Sequence, residues 1–413
     1  MGINKADTAW LLMATALVML MTPGLALFYG GLVRKKNVLS TLMHSFFMLG
    51  LIGVQWVVFG YSLAFGPDHY GVIGGLDWVG LRGVGVEPNP VYAEGVPHQA
   101  FMAYQMMFAV ITPALISGAF AERKRFKAFV LFSFLWATIV YDPVAHWVWA
   151  EGGFLRNFGV LDFAGGTVVH ITSGVSALVC AFVLGRRNGL DRSTTIEPHN
   201  ATMTLLGGAI LWFGWFGFNA GSALSSGSLA VISFVTTNSA AAMAMLTWTT
   251  ASWCRHGRPS ALGATAGAVS GLVAITPAAG YVTPIAALII GFAAGLVCFL
   301  TVEYVVRGRV DDALDVFGVH GVGGILGALL TGVFATKAVN LAGADGLLSG
   351  NVGQLAIQGF AVGVVALYSA GVTWMILKVV DFAVSLRVSP EDEANGLDLS
   401  QHGEVGYSDV AEA

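Results

Sequence analysis

Charged residues are scarce in this chain: Asp, Glu, Lys and Arg make up 11% of its 413 residues, whereas hydrophobic residues make up 56%. A typical soluble domain carries about 25% charged residues. The composition therefore excludes a soluble protein and predicts a polytopic membrane protein. The formal net charge of −4 argues against a nucleic-acid partner, because proteins that bind nucleic acids present a strongly basic surface.

Cysteine is also rare, and the three cysteines (Cys180, Cys254 and Cys298) fall in or beside apolar segments. Their spacing matches neither a disulfide framework nor a metal site, so we expect them to be small core residues. The sequence has no phosphate-binding glycine loop, no His-Glu-x-x-His and no Gly-x-Ser-x-Gly. These absences predict a protein that is not an enzyme, with no catalytic residue, metal or cofactor.

Apolar runs long enough to cross about 30 Å of hydrocarbon recur along the whole chain. The predicted spans are eleven: residues 8–32, 38–65, 99–121, 127–150, 163–185, 200–222, 229–254, 261–280, 284–306, 316–336 and 351–380. The first run has no basic segment before it and no cleavage site after it, which is typical of a true span rather than a signal peptide. The sequence thus predicts an all-α, multi-pass protein of the cell membrane, with a transmembrane domain over residues 1–380.

Lys and Arg are distributed unequally between alternate loops. If the N-terminus is outside, the inner loops and the tail hold 16 of these residues, Arg192 and Arg307 among them. The outer segments hold only Lys5, Arg82, Arg156 and Lys337. Since Lys and Arg concentrate on the cytoplasmic side, the N-terminus is predicted to be outside and the C-terminus cytoplasmic.

The first ten spans divide into two sets of five. Residues 8–185 end with a span that carries His170, and residues 200–336 end with a span that carries His320. Because five is odd, the second set enters the membrane from the opposite side, which is the inverted-repeat plan of many transporters. The span 351–380 is then an additional last helix. Residues 381–413 form a polar, acidic cytoplasmic tail that we expect to dock on the inner loops or on a partner.

The two histidines lie in apolar surroundings, each a short interval after an aspartate. Asp162 precedes His170 by eight residues, and Asp315 precedes His320 by five. A neutral imidazole avoids most of the cost of a charge in the bilayer, yet it can pass a proton near neutral pH. Each histidine alone is as easily read as a core residue, but their equivalent positions in the two halves favour a functional pair.

Aromatic residues in three spans accompany a hydroxyl group. Tyr104 and Phe108 share one helical face, and Ser222 follows Phe218 at the same spacing. Most aromatic stripes serve packing, but a hydroxyl beside ring faces can hold a small cation through cation–π attraction and one hydrogen bond. Trp149 could complete such a cage, with an interfacial aromatic belt as the alternative for this residue.

Several long stretches of the sequence match those of a known family. They are residues 23–34, 162–170, 214–222, 315–321, 396–398 and 402–404. On these stretches the chain resembles the Amt branch of the Amt/MEP/Rh ammonium transporter family, from the first span to the tail. The resemblance implies a homotrimer of eleven-helix subunits in the lipid bilayer, each with its own narrow hydrophobic pore for ammonium or ammonia.

The resemblance also implies roles for residues at the outer mouth. Phe108, Trp149 and Ser222 would recruit ammonium, and Asp162 would support this site from behind without touching the substrate. Family members usually have Phe where this chain has Tyr104, whose phenol would add a donor at the outer mouth.

Further roles follow from the resemblance for the pore itself. Phe108 and Phe218 would stack as a gate, and His170 and His320 would share a hydrogen bond below it. Two more residues would line the wall: Tyr29 and Trp215.

The expected function is ammonium transport. Stripping an ion of its hydration in a dry pore costs at least several kcal/mol, so NH4+ would lose its proton near the gate. NH3 would then cross while the proton moves along the histidines, with net electrogenic uptake of NH4+. An electroneutral NH3 channel would use the same residues, and whether methylammonium is also accepted is left open by the sequence.

Two other classes compete with transport. An ammonium sensor would bind without sustained transport, although the 33 residues after position 380 are too few for a fused signalling domain. A bis-histidine haem protein would need the imidazoles on opposite faces of the iron rather than against one another.

The tail resembles the regulatory segment of the family. In bacteria the usual partner there is a PII-type signal protein that plugs the cytoplasmic mouth, and the basic inner loops would offer a docking surface. Phosphorylation of Ser400 would add charge to a packed junction. The tail residues with an expected regulatory role are Gly396, Asp398, Ser400 and His402.

Overall fold

Long apolar helices form almost the whole molecule. A computed structural model describes residues 2–190, 196–306 and 309–407, so Arg192 and Arg307 lie outside the described residues. Ten helices in the described part are long and apolar enough to cross a membrane, and Ala261–Ile275 is a shorter apolar helix. In chain order they are α1 Lys5–Leu32, α2 Lys35–Phe65, α3 His98–Phe120, α4 Phe126–Asn157, α5 Gly166–Leu184, α6 Ala201–Ala223, α7 Ser228–His256, α8 Ala261–Ile275, α9 Pro284–Val306, α10 Phe317–Phe334 and α11 Val352–Val384. The chain is therefore a multi-pass membrane protein.

The predicted spans coincide with these helices except at a few ends. Helix α8 ends at Ile275, five residues before the predicted end of its span, because Pro277 cannot continue the backbone hydrogen bonding. Helix α4 is interrupted after Trp149, which agrees with the predicted end of its span at residue 150. Helix α11 continues to Val384, so the tail begins later than residue 381.

Close approach of the helices depends on small residues. A Cβ on Gly207 of α6 would lie 2.2 Å from the backbone nitrogen of Phe28 in α1, so only glycine permits this crossing. Large apolar side chains on the outside of the bundle are exposed, among them Phe46, Phe182 and Leu246. Lipid covers such side chains in a membrane.

One end of the bundle, which we call the N-side, carries the start of α1 and the two small hairpins. The hairpin strands are β1 (Asp68–His69), β2 (Ile73–Gly74), β3 (Pro88–Asn89) and β4 (Ala93–Pro97), paired β1 with β2 and β3 with β4. Asn4 donates its backbone N–H to Gly95, and Asp68 is 2.8 Å from Nε2 of His146 in α4. These contacts hold the hairpins over the helix ends.

The opposite end, which we call the tail side, is covered by residues 385–407. Residues 386–388 pair with 123–125: Arg125 donates its N–H to Leu386, and Val388 donates to Arg123. A short helix, α12 (Pro390–Asn395), follows. The tail therefore docks on the loop between α3 and α4, as one of the two sequence-based alternatives predicted.

Candidate functional site

His170 and His320 meet inside the bundle. Their Nδ1 atoms are 3.2 Å apart, so one ring donates a hydrogen bond and the other accepts it. Both rings are almost completely buried. The direct bond between the rings leaves no space for an iron atom between them, which argues against the bis-histidine haem alternative.

Glycines bring the two histidine helices together. A Cβ on Gly174 of α5 would lie 2.1 Å from the backbone nitrogen of Gly321 in α10. Any larger residue at position 174 would push the helices apart and separate the rings. The short distance between His170 and His320 therefore depends on two neighbouring glycines, Gly174 and Gly321.

Each histidine lies in a π-helical first turn whose free N–H groups are capped by an aspartate. The π segments are Gly166–Ile171 in α5 and Phe317–Gly321 in α10. Asp162 accepts four backbone hydrogen bonds of 2.7–3.1 Å, from residues 165–168. Asp312 accepts one of 2.7 Å from Phe317. The aspartate eight residues before His320 is therefore the counterpart of Asp162, whereas the sequence analysis had paired His320 with Asp315.

Above the histidines on the N-side, two phenylalanine rings close the path. The centroids of Phe108 and Phe218 are 4.2 Å apart with a tilt of 34°. The ring of Phe218 also stacks on His170, with centroids 6.1 Å apart. Anything that passes from the N-side to the histidines must displace these rings.

Beyond this gate lie the residues expected to recruit a cation. The Trp149 ring meets Phe108 edge-on at 5.9 Å, and its Nε1–H donates to the backbone oxygen of Asp162. Ser222 donates its hydroxyl to the Phe218 oxygen, so the lone pairs of Oγ are available to a further donor. The aromatic faces and the hydroxyl are therefore assembled as the sequence analysis expected.

Tyr104 occupies a different position from the one expected. Its hydroxyl is buried rather than open at the mouth, and it lies within hydrogen-bond distance of the Gly217 and Phe218 oxygens and of Ser222 Oγ. Those oxygens belong to the π segment Phe216–Ala220 of α6, whose irregular backbone needs an extra donor. Tyr104 thus couples the backbone of the gate to Ser222.

Below the gate the path is narrow and almost entirely apolar. A cavity with about 10 Å³ of room for the centre of a water-sized molecule lies between the gate and the histidines. Its wall includes Phe28, Leu211 and Trp215, and the Trp215 Nε1–H is held by Thr276. Phe28 was missed in the sequence analysis, which chose the neighbouring Tyr29. The Tyr29 side chain lies lower down, where its hydroxyl donates to Leu115.

On the tail side, a vestibule of about 1010 Å³ leads up to His320. Tyr29, Arg187, Asp311 and Asp312 line it. The vestibule is wide and has charged residues in its wall, whereas the cavity above it is narrow and apolar.

A buried ion network fixes the rim of this vestibule. Arg187 bonds Asp311 and Glu122 at 2.7 Å each, and Arg34 bonds Glu122 at 2.9 Å. Burial alone would raise the pKa of Glu122, but Arg187 and Arg34 outweigh it, and the pKa lies below its usual value. A charged Glu122 therefore holds the loops before α2, after α3 and after α5 together.

The tail residues take part in this rim. Asp398 accepts the backbone N–H groups of Leu39 and Ser40 and so caps α2. Gly396 adopts φ +102° against Lys36, where a Cβ would lie 2.6 Å from the Lys36 oxygen. The remaining expected tail residues are also packed there: His402 contacts Phe126, and the buried Oγ of Ser400 has no hydrogen-bond partner among residues 2–190, 196–306 and 309–407.

With this geometry in place, comparison with known proteins decides the family. The model of the Ammonium Transporter Family matches residues 9–407. The chain belongs to that family. It is 53% identical to the ammonium transporter of Bacillus subtilis over 98% of this chain and 99% of the relative. It is 46% identical to the ammonium transporter Amt1 of Archaeoglobus fulgidus, over 98% and 100%.

Solved structures of the Ammonium Transporter Family have the same fold. The crystal structure of Saccharomyces cerevisiae Mep2 superposes with a TM-score of 0.90 at 38% identity, covering 100% of this chain and 93% of that one. A protein described as a sensor Amt protein superposes with a TM-score of 0.89 at 30% identity, covering 96% and 98%. The predicted family is confirmed, and the family fold also occurs in a protein named as a sensor.

Removing the Tyr104 hydroxyl should weaken recruitment of the substrate. In Tyr104→Phe, Ser222 loses a neighbour that orients it and the gate backbone loses a donor, so we expect the half-saturating ammonium concentration to rise about fivefold, for a loss of about 1 kcal/mol. Tyr92→Phe, which removes a hydroxyl bonded to Phe65 away from the site, is the matched control. Concentration dependence of the ammonium-evoked current in proteoliposomes measures both, and equal values in the two variants would contradict the assignment.

Proposed function

We propose that this member of the Ammonium Transporter Family recruits NH4+ on the N-side, removes its proton at the gate and conducts NH3 past the two histidines. The observation that carries the proposal is the hydrogen-bonded pair of titratable rings beneath a closed aromatic gate in an apolar cavity. Phe108, Trp149 and Ser222 would hold the cation, since ring faces and a hydroxyl oxygen together replace part of its hydration. The cavity favours NH3 because a neutral molecule crosses it without the cost of a buried charge.

The hydrogen bond between the rings provides a path for the proton. In the neutral pair, the ring that donates through Nδ1 has a bare Nε2, and the ring that accepts carries its hydrogen on Nε2. A proton added to the bare Nε2 and one released from the other Nε2 reverse the bond between the rings. The Nε2 of His170 is buried and has no hydrogen-bond partner within the described part of the chain, which supports this role. The net event would be electrogenic uptake of NH4+.

The proposed arrangement in the membrane has eleven spans, with α8 as the eighth although it has only 15 residues. The N-side would be outside and the tail side cytoplasmic, which agrees with the excess of Lys and Arg there. The similar aspartate caps and π turns before His170 and His320 support two inverted repeats of five spans. By family resemblance the assembly would be a homotrimer.

The docked tail would regulate the tail-side mouth. The tail contacts α2 and the loop after α3, and the Ser400 Oγ is buried nearby. Phosphorylation of Ser400 would add charge to this packed junction. A PII-type signal protein is the partner that the family resemblance implies. Such a partner would bind at the vestibule, next to the docked tail.

The deciding experiment records the current after an ammonium pulse in proteoliposomes that contain increasing amounts of protein. For transport with net charge, we expect a current whose decay becomes faster as the number of proteins per liposome rises. No current, together with alkalinisation of the lumen, would replace the proposal with an electroneutral NH3 channel. A small current whose decay does not change would indicate binding alone, which is the behaviour of a sensor. This outcome is included because the fold is similar to that of the sensor Amt protein.

A further inference from the structure

Asp312, a residue of the vestibule wall below His320, has one carboxylate oxygen without a hydrogen-bond partner among the described residues. Its Oδ2 caps α10 by accepting the Phe317 N–H, while its Oδ1 is buried and has no partner among the described residues. The residue as a whole is 5% exposed. It lines the same vestibule as His320. A buried carboxylate oxygen without a donor is costly, so the position calls for a ligand that donates a hydrogen bond.

The comparison with Asp162 shows what is unusual. Both aspartates lie eight residues before a histidine and cap a π-helical turn. Asp162, however, accepts four backbone hydrogen bonds through both oxygens, and its capacity is largely used. Asp312 has one oxygen to spare, and therefore only the tail-side aspartate is equipped for more than capping.

We propose that Asp312 is the group at which ammonia recombines with its proton on leaving the pore, and that its carboxylate is the exit site for the ammonium ion formed there. This inference rests on the proposed function. The proton that leaves NH4+ at the gate passes through His170 and His320 to the Asp312 carboxylate. NH3 arriving in the vestibule takes the proton from the carboxylic acid, which leaves NH4+ and a carboxylate that holds it until water replaces the contact.

The surroundings of Asp312 suit a group that must both accept and release a proton. Burial, together with the negative charge of Asp315, raises the pKa of Asp312 to about 7, against the opposing effects of the Phe317 and Val316 N–H groups and the charge of Arg123. Two further groups face it from α1 and α5: Tyr29 and Cys180. When the pH of the tail side falls below about 7, the carboxyl is protonated at rest and cannot accept the relayed proton. Transport should therefore slow as that pH falls.

The test uses Asp312→Asn, whose amide oxygen still caps α10 but cannot carry the proton. Right-side-out membrane vesicles from expressing cells keep the tail side in the lumen, and the luminal pH is varied from below to above the pKa of Asp312 at constant external ammonium. We expect the maximal current of the variant to fall about tenfold and to lose its dependence on luminal pH, with the half-saturating concentration unchanged. Asp315→Asn removes a neighbouring vestibule carboxylate and is the matched control. It should keep most of the current and a dependence on luminal pH, with the midpoint moved to lower pH because loss of this negative charge lowers the pKa of Asp312.

The outcomes separate the inference from the function on which it rests. If the parent gives no current, the proposed function fails. If the parent gives current and Asp312→Asn shows the same maximal current, or a lower one with the parental pH profile, Asp312 is a cap only and the inference is overturned. If Asp312→Asn does not assemble, infrared difference spectra of the parent decide instead. We expect ammonium to alter the C=O band of a protonated carboxyl, and this change should depend on luminal pH. An unchanged band overturns the inference.

Discussion

Replacing both His170 and His320 by alanine should reduce the ammonium-evoked current by about 100-fold or more, since positioned proton-transfer groups contribute about 100- to 10,000-fold to the steps they serve. The two rings are the titratable groups that meet in the cavity below the gate, and the double variant leaves the proton no path between the gate and the vestibule. Neutral NH3 can still enter the enlarged cavity. We therefore expect the charge movement to disappear while alkalinisation of the liposome lumen persists.

Current and luminal pH are recorded on the same proteoliposomes. His69→Ala, which removes an exposed histidine from the N-side hairpin, is the control for loss of an imidazole elsewhere and should behave like the parent. A double variant with parental current and parental preference for ammonium over other cations would rule out the relay. Elution of the detergent-solubilised variant at the parental position in size-exclusion chromatography shows that the loss is not one of assembly.

The second large effect should follow from Asp162→Ala. Its carboxylate accepts the N–H groups of Gly165, Gly166, Thr167 and Val168 at 2.7–3.1 Å. Alanine leaves all four donors without a partner in a buried place, where each costs about 1–3 kcal/mol, and relaxation reduces the total to about 3–5 kcal/mol. Transport should be lost as well, because the same turn carries His170.

Thermal unfolding of the detergent-solubilised protein measures this change. Asp162→Asn keeps one good acceptor and should unfold between the parent and the alanine variant. Asp77→Ala, at an exposed aspartate of the N-side loop, should unfold with the parent. An alanine variant as stable as Asp77→Ala would mean that the cap contributes little.

The helices could be predicted from the sequence because hydrocarbon about 30 Å thick demands long apolar segments whose backbone groups bond internally. The early end of α8 has a local cause, because Pro277 cannot continue the helical hydrogen bonding. The π segments could not be predicted, because an extra residue in a helical turn is stabilised by groups elsewhere in the chain, such as the Asp162 carboxylate and the Tyr104 hydroxyl.

The residues of the site were predicted better than their partners. The sequence pattern led to His170 and His320, the family resemblance led to the gate of Phe108 and Phe218, and the structure brings these rings together. The sequence analysis singled out Asp315 as the aspartate nearest to His320, whereas the residue that caps α10 is Asp312, three residues earlier. Counting the same interval of eight residues before both histidines would have found it. Tail contacts lay beyond sequence reasoning, since Asp398 meets α2 across more than 350 residues.

The contact between Phe108 and Phe218, at 4.2 Å between centroids, has a consequence for the energetics of the cell. A membrane stores energy as a proton gradient. A continuous chain of hydrogen-bonded water through a protein would dissipate this gradient by passing protons from one molecule to the next. Here the chain of water is interrupted where the rings touch, and the narrow, apolar cavity below offers little space for it to re-form. In the proposed mechanism, a proton crosses this region only with the substrate or along the histidines, so the closed gate would insulate the membrane while it admits ammonium.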